Sequence, residues 1–319
     1  MRNRKSITRI LFDEARDFFQ KYPNDETRKS YIKNYKKYIQ FCRDNFNCKT
    51  KEECALHIQE YSNHLQKKFH YTASTIHTYL ACVCLYHDIC LTEISKPKRH
   101  VSDYTRGRGG NKNSAISGDY SNPKYARIIK AASLIGIRRS ELKRLKKSDL
   151  ILDGPYPMVI VKRGKGGKKN HHQRIICSDD ELQFLKDCFK GNPDDYVFER
   201  WELANKLNFH YLRAKAAQRA YNYFQNRIDS EGEKYVEELT NQIKEYWFSH
   251  NIDIKTGKPK PFPYDDLYGN YYLRGKVRQF AIDNGLSLVY DKLSLRATSC
   301  FILSHWRNDT TILSYLLVK

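Results

Sequence analysis

Over most of the first ninety residues, apolar positions recur with helical periodicity. From Thr27 to Cys42, the residues Tyr31, Ile32, Tyr35, Tyr38, Ile39 and Cys42 fall three and four apart, and Lys33, Lys36 and Lys37 take the other side. Such spacing puts one apolar stripe on a helix that faces a core. Similar patterns over about 8–20, from Glu52 to Gln66 and from Ala73 to His87 predict three more helices. The last of these starts at Ser74 and Thr75 and buries Ile76, Tyr79, Leu80 and Val83. Residues 1–93 therefore read as a four-helix domain, with no internal repeat.

Residues 94–121 change character. Lys96-Pro97-Lys98-Arg99-His100 and the run Arg106-Gly107-Arg108-Gly109-Gly110 are charged, glycine-rich and poor in apolar side chains, the composition of an extended basic linker. A second domain, 122–319, opens with Asn122-Pro123, a cap and a first-turn proline, followed by Tyr125, Ile128, Ile129, Ala132 and Ile135 at helical spacing. The β-branched runs Met158 to Val161 and Arg174 to Cys177 flank Lys162-Arg163-Gly164-Lys165-Gly166-Gly167-Lys168-Lys169, which reads as a hairpin with a cationic tip. Helices are expected at about 179–189, 200–206 and 210–226. A charged helix from Glu231 to Trp247 follows, then a proline-rich irregular stretch from Thr256 to Pro263. Tyr271, Tyr272, Arg274, Lys276 and Arg278 stand at the start of another helical stretch. The expected fold class is mainly α with a small antiparallel sheet.

Charge narrows the partners. With 57 Lys plus Arg against 36 Asp plus Glu, the chain of 319 residues carries a net charge of +21, and the excess is spread over both halves. A polyanion is the expected partner. An apolar fraction of 40% with 24 Tyr and 15 Phe is too high for a disordered basic protein. No run of apolar residues is long enough to span a bilayer, and acidic residues interrupt the start before a secretory signal can form, so a cytoplasmic protein with no membrane partner is expected. Nine cysteines without a close Cys-x-x-Cys pair suit reduced thiols. Cys42, Cys48 and Cys54 are equally spaced with His57 nearby, but they lack the close ligand pairs of structural zinc sites, so neither metal nor cofactor is expected.

Three short motifs bear on chemistry. Arg138 enters a helix and Glu141 follows one turn later, within reach of it. His210 and Arg213, also three apart, can share one phosphate. The last seventeen residues contain Leu303-Ser304-His305-Trp306, Thr310-Thr311 and Tyr315. In this order, with the Gly-Lys-Gly hairpin between the first two, the motifs resemble the tyrosine recombinase, or phage integrase, family. The basic helical domain in front resembles that family's core-binding domain, so the resemblance spans nearly the whole chain.

The resemblance implies that Arg138 and Arg213 bind the scissile phosphate, that Glu141 supports Arg138, that Lys165 is the hairpin lysine and general acid, and that His210 completes the middle motif. It makes Tyr315 the nucleophile. The remaining His or Trp position falls on His305 or on Trp306, and both are retained. Arg106, Arg108, Lys168, Arg274 and Arg278 are further candidates for DNA contact. Two departures stand out: about 225–290 reads as an insertion, associated with integrases of low-GC Gram-positive mobile elements, and only four residues follow Tyr315. Arg296 is a rival to Arg213 that would avoid the insertion, but it lacks a preceding His. The implied function is site-specific recombination of double-stranded DNA through a covalent 3′-phosphotyrosine. It implies a protein clamp around the duplex, association with the nucleoid through DNA binding, a homo-oligomer (a tetramer) on DNA and an accessory directionality protein. Two rivals remain: a catalytically inactive DNA-binding regulator of the same fold, and an RNA-binding or membrane-surface basic protein.

Overall fold

The computed structural model describes residues 6–98, 118–164, 169–204, 206–253 and 256–318. Arg106, Arg108, Lys165 and Lys168 lie outside the described residues. The chain divides into two compact units, Met1–His100 and Val101–Lys319. Among the described residues no helix is long and apolar enough to cross a membrane.

The first unit contains α1 (Ile7–Gln20), α2 (Asp25–Phe46), α3 (Lys51–Ala55), α4 (Ile58–Lys67) and α5 (Ala73–Tyr86). Side chains of Ser6, Asn24, Thr50 and Thr72 accept hydrogen bonds from the first turns of α1, α2, α3 and α5, satisfying amides that the helices leave unpaired. The helix expected over Glu52 to Gln66 is two helices. Its apolar stripe, Cys54, Ile58, Tyr61 and Leu65, continues across the break. The backbone tightens there, with the amides of Leu56 and His57 bonding the carbonyls of Glu53 and Cys54 three residues back. Periodicity reports which side faces the core, and both pieces face it. The last helix is capped by Thr72 rather than started at Ser74 and Thr75. The core is aromatic: Phe19 meets Tyr31 and Tyr35 at 5.6 and 5.8 Å between ring centroids, and Tyr35 meets Tyr86 at 4.8 Å.

The second unit is mainly helical with a small antiparallel sheet. A 3-10 turn, Pro123–Tyr125, leads into α6 (Ala126–Ile135), followed by α7 (Arg139–Leu142), β1 (Leu150–Ile151), β2 (Met158–Arg163), β3 (Lys169–Arg174), α8 (Asp179–Phe189), α9 (Phe209–Glu231) and α10 (Glu233–His250). Then come β4 (Asn270–Tyr272), α11 (Gly275–Asp283), β5 (Val289–Asp291), α12 (Lys292–Ala297), a π-helical turn Thr298–Ile302, α13 (Asn308–Thr311) and a second π-helical turn Ile312–Leu316. The strands β1, β2 and β3 form one sheet in that order, and β4 pairs with β5.

The hairpin's second strand differs from the expected one. Met158 pairs with Arg174 and Arg163 with Lys169, so β3 ends where the β-branched run begins. Its polar residues conceal it, although His171 and Gln173, two apart, are both buried on the inner face. The helix expected at 200–206 is a series of turns. Glu202 is buried there and accepts hydrogen bonds from Arg127 and from the Glu199 amide, which holds the backbone in a turn.

The stretch 225–290 contributes to the core of its unit. Position 225 falls inside α9, and Tyr235, Leu239 and Ile243 of α10 pack with Phe224 and Phe301. Leu273, Val277 and Ala281 pack with Leu295, Ile312 and Leu316. Tyr271 and Tyr272 lie in β4 rather than in a helix, and Arg274 stands at the N-cap of α11.

Candidate active site

The site forms where three backbone turns meet the start of α9. Asn208 caps that helix by accepting from the amides of His210 and Tyr211, which fixes the direction of its first turn. Arg213, one turn further on, points inward and is only 1% exposed. Its Nη1 donates to the Gly136 carbonyl at 2.5 Å and its Nη2 to the Leu303 carbonyl at 2.7 Å. Nε donates to the Tyr315 hydroxyl at 3.3 Å.

Each partner is placed by local structure. Gly136 ends α6 at φ +68°, and a Cβ there would come within 2.7 Å of the Ala216 Cβ. A larger residue would push α9 away from the carbonyl that Arg213 uses. Leu303 ends the first π-helical turn, and Tyr315 lies in the second. A π turn shifts the register of side chains relative to an α-helix, a device often found at functional positions. Tyr315 is 4% exposed and packs among Ala214, Ala217, Leu303 and Val318, while Gln218 Nε2 donates to its backbone carbonyl at 3.2 Å.

Two imidazoles lie near the tyrosine. The His210 ring lies 5.4 Å from the Tyr315 ring and the His305 ring 6.1 Å from it, the latter inclined at 29°. Trp306 turns the other way. It stacks on Tyr264 at 5.8 Å, meets Trp247 edge-on at 4.8 Å, and accepts a hydrogen bond from Arg296 through its carbonyl. Arg296 stacks on Tyr264 as well, 3.6 Å from the ring centroid. Of the two alternatives at each position, His305 and Arg213 are the ones beside Tyr315.

Arg138 and Glu141 complete the polar cluster. Arg138 Nη1 donates to Glu141 Oε1 at 2.9 Å, and the Arg138 amide donates to Oε2 at 2.7 Å. Burial raises the Glu141 pKa, but the charges of Arg138 and Arg213 and the hydrogen bonds outweigh it and leave the carboxyl below its ordinary range. Burial lowers the pKa of Arg213, an effect that the neighbouring Arg138 adds to and Tyr315 and Glu141 oppose. The cluster thus places two guanidinium groups, a carboxylate, two imidazoles and a phenol in one neighbourhood; the guanidinium groups are donors suited to an oxyanion, and the carboxylate accepts from Arg138.

Other candidates lie elsewhere. Arg274 and Arg278 are exposed on α11, and Arg274 borders a cavity of about 380 Å³ with Tyr271, Asp309 and Leu313. Lys162, at the base of the hairpin, pairs with the buried Asp149 at 2.6 Å. Sequence reasoning missed the carbonyls of Gly136 and Leu303 and the amide of Gln218. Only Gly136 carried a signal, as a glycine ending a helical pattern directly before Arg138.

No family model matches the chain, and no curated protein matches it. Among solved structures, the crystal structure of XerA recombinase aligns at 19% identity over 66% of this chain and 83% of that one, with a TM-score of 0.23.

Proposed function

We propose that the chain is a tyrosine-type site-specific DNA recombinase of a mobile element, acting on double-stranded DNA. The observation that carries this reading is the Tyr315 hydroxyl at 3.3 Å from Arg213 Nε, with the His210 and His305 rings 5.4 and 6.1 Å from the Tyr315 ring. A phenol is a weak nucleophile at its free pKa of about 10, so attack by a tyrosine relies on cations and bases placed beside it. Attack of the Tyr315 oxygen on a phosphodiester phosphorus would form a 3′-phosphotyrosine and release a 5′ hydroxyl. Arg138, Arg213 and the imidazoles would neutralise charge on the non-bridging oxygens, as preorganised donors do. Lys165 would protonate the leaving oxygen, and Glu141 would hold Arg138 in place. Arg106, Arg108, Lys168, Arg274 and Arg278 would contact phosphates as a clamp closes on the duplex, and protomers would assemble on DNA, with an accessory protein setting direction.

All three nitrogens of Arg213 are engaged and Tyr315 is buried, so a phosphate reaches this pair only if the Leu303 and Tyr315 segments shift. That closure favours a second reading, a DNA-binding regulator without strand transfer. A pool of nicked duplexes incubated with the protein separates the two. On the first reading, covalent protein–DNA adducts form and Tyr315→Phe abolishes them while leaving binding nearly unchanged, since one oxygen and no cation is removed. Adducts that persist in the variant would move the nucleophile elsewhere, with Tyr290 first in line. Tight binding without adducts in the wild type would favour the regulator.

A further inference from the structure

Cys42, Cys48 and Cys54 are far apart by the standards of zinc-binding sequence motifs, yet the fold brings their sulfur atoms together. Cys42 lies in the last turns of α2, Cys48 just beyond its end and Cys54 in α3. Asn47, at φ 54°, reverses the chain after Phe46 and turns Cys48 back towards the helix it has left. The reciprocal Thr50 and Glu53 cap then fixes the start of α3 so that Cys54 faces inward. All three sulfur atoms lie within 4.8 Å of one another. Cys42 and Cys54 are fully buried, and Cys48, 9% exposed, is the most accessible of the three.

A buried thiol is ordinarily a small apolar side chain, and single ones need no further account. Convergence is different, because three sulfurs within 4.8 Å of one another need only a small contraction to surround a single tetrahedral ion with metal–sulfur bonds of about 2.3 Å. Thiolates select soft or borderline ions over magnesium or calcium. We propose that Cys42, Cys48 and Cys54 bind one zinc ion as thiolates, with solvent in the fourth position next to Cys48. Binding would release the thiol protons and tie the end of α2 to α3, closing the corner of the first unit. The proposal is independent of the recombinase reading.

The test uses the full chain, purified under reducing conditions and stripped of metal with a chelator. Zinc added back should bind in one equivalent, and cobalt should bind in its place with a thiolate charge-transfer band. Cys48→Ser, the substitution least disturbing to the core, should weaken zinc binding by about a hundredfold or more and remove most of that band. Cys90→Ser, an exposed cysteine outside the group, should leave both unchanged. Circular dichroism shows whether Cys48→Ser remains folded, and Cys48→Ala provides a second variant of the same position. No stoichiometric zinc in the reduced wild type would overturn the proposal. So would equal binding in folded Cys48→Ser or Cys48→Ala, or a Cys42–Cys54 disulfide that forms equally with and without zinc.

Discussion

The two units bury different kinds of side chain. In the first, the described buried residues are aromatic, aliphatic or cysteine, apart from Asn34 and Ser62. In the second, Glu141, Asp149, Glu202, Arg213 and Arg296 are all buried, together with His171, Gln173 and a group of hydroxyls. Removing a charge from water costs several kcal/mol unless partners replace the solvent, so a fold rarely gains stability by placing ions in its core. Here each buried ion has partners, and two of the five, Glu141 and Arg213, belong to the cluster around Tyr315. The contrast separates a unit whose interior is almost wholly apolar from one whose interior also holds charged groups.

The largest expected effects test that separation directly. Phe19→Ala should destabilise the first unit by about 4 kcal/mol, since it removes a fully buried ring and leaves a cavity. Arg213→Met should destabilise the second unit by about 3 kcal/mol, because it leaves the buried carbonyls of Gly136 and Leu303 without donors. It should also eliminate covalent attachment to DNA. Urea unfolding followed by far-ultraviolet dichroism, alongside the adduct assay, reads both. Adducts that persist in folded Arg213→Met would make this arginine a structural residue.

A smaller effect concerns acid. Burial, assisted by Lys51, depresses the His87 pKa to about 4, while its Nε2 lies 3.0 Å from the Tyr35 hydroxyl. The unfolded chain takes up a proton that the native first unit refuses. Stability should therefore fall as the pH drops from about 6.5 towards 4 and level off below, a total of about 3 kcal/mol. His87→Phe should flatten this window. If the slope survives in the variant, another group is responsible.

The smallest expected effect lies on the surface of the second unit. Replacing both Arg274 and Arg278 with Ala should weaken DNA binding at all sequences alike and lower the salt slope of log K by about 1 to 2, with no loss of stability. An unchanged slope would confine DNA contact to other surfaces. An unchanged slope with recombination lost would point instead to contacts between protomers.

Much of the helical order was legible because amphipathic spacing survives in short windows. The helices α1, α2, α5 and α8 lie close to where the apolar stripes predicted them, and α9 begins one residue before its expected start. Where the signal was ambiguous, the reading shifted. A continuous stripe concealed the break between α3 and α4, and the polar residues of β3 hid its inward-facing His171 and Gln173. The motif residues were legible by type and order, but their competition was not. Sequence favoured Arg213 over Arg296, which lacks a preceding His, and left His305 and Trp306 both open.

Charge, the apolar periodicities and the order of Arg138, His210, Arg213 and Tyr315 belong to the chain itself, since they depend on which residues occur and how far apart they stand. Which of them meet depends on packing between segments distant in sequence. Gly136, Leu303 and Tyr315 converge on Arg213 from across the second unit, while Trp306 and Arg296 are drawn to Tyr264 on another face. Three cysteines spaced too widely for a zinc motif become neighbours because Asn47 reverses the backbone between them. Local patterns set the elements, but only tertiary packing, by excluding water from some combinations of side chains and not others, decided which polar groups share a site.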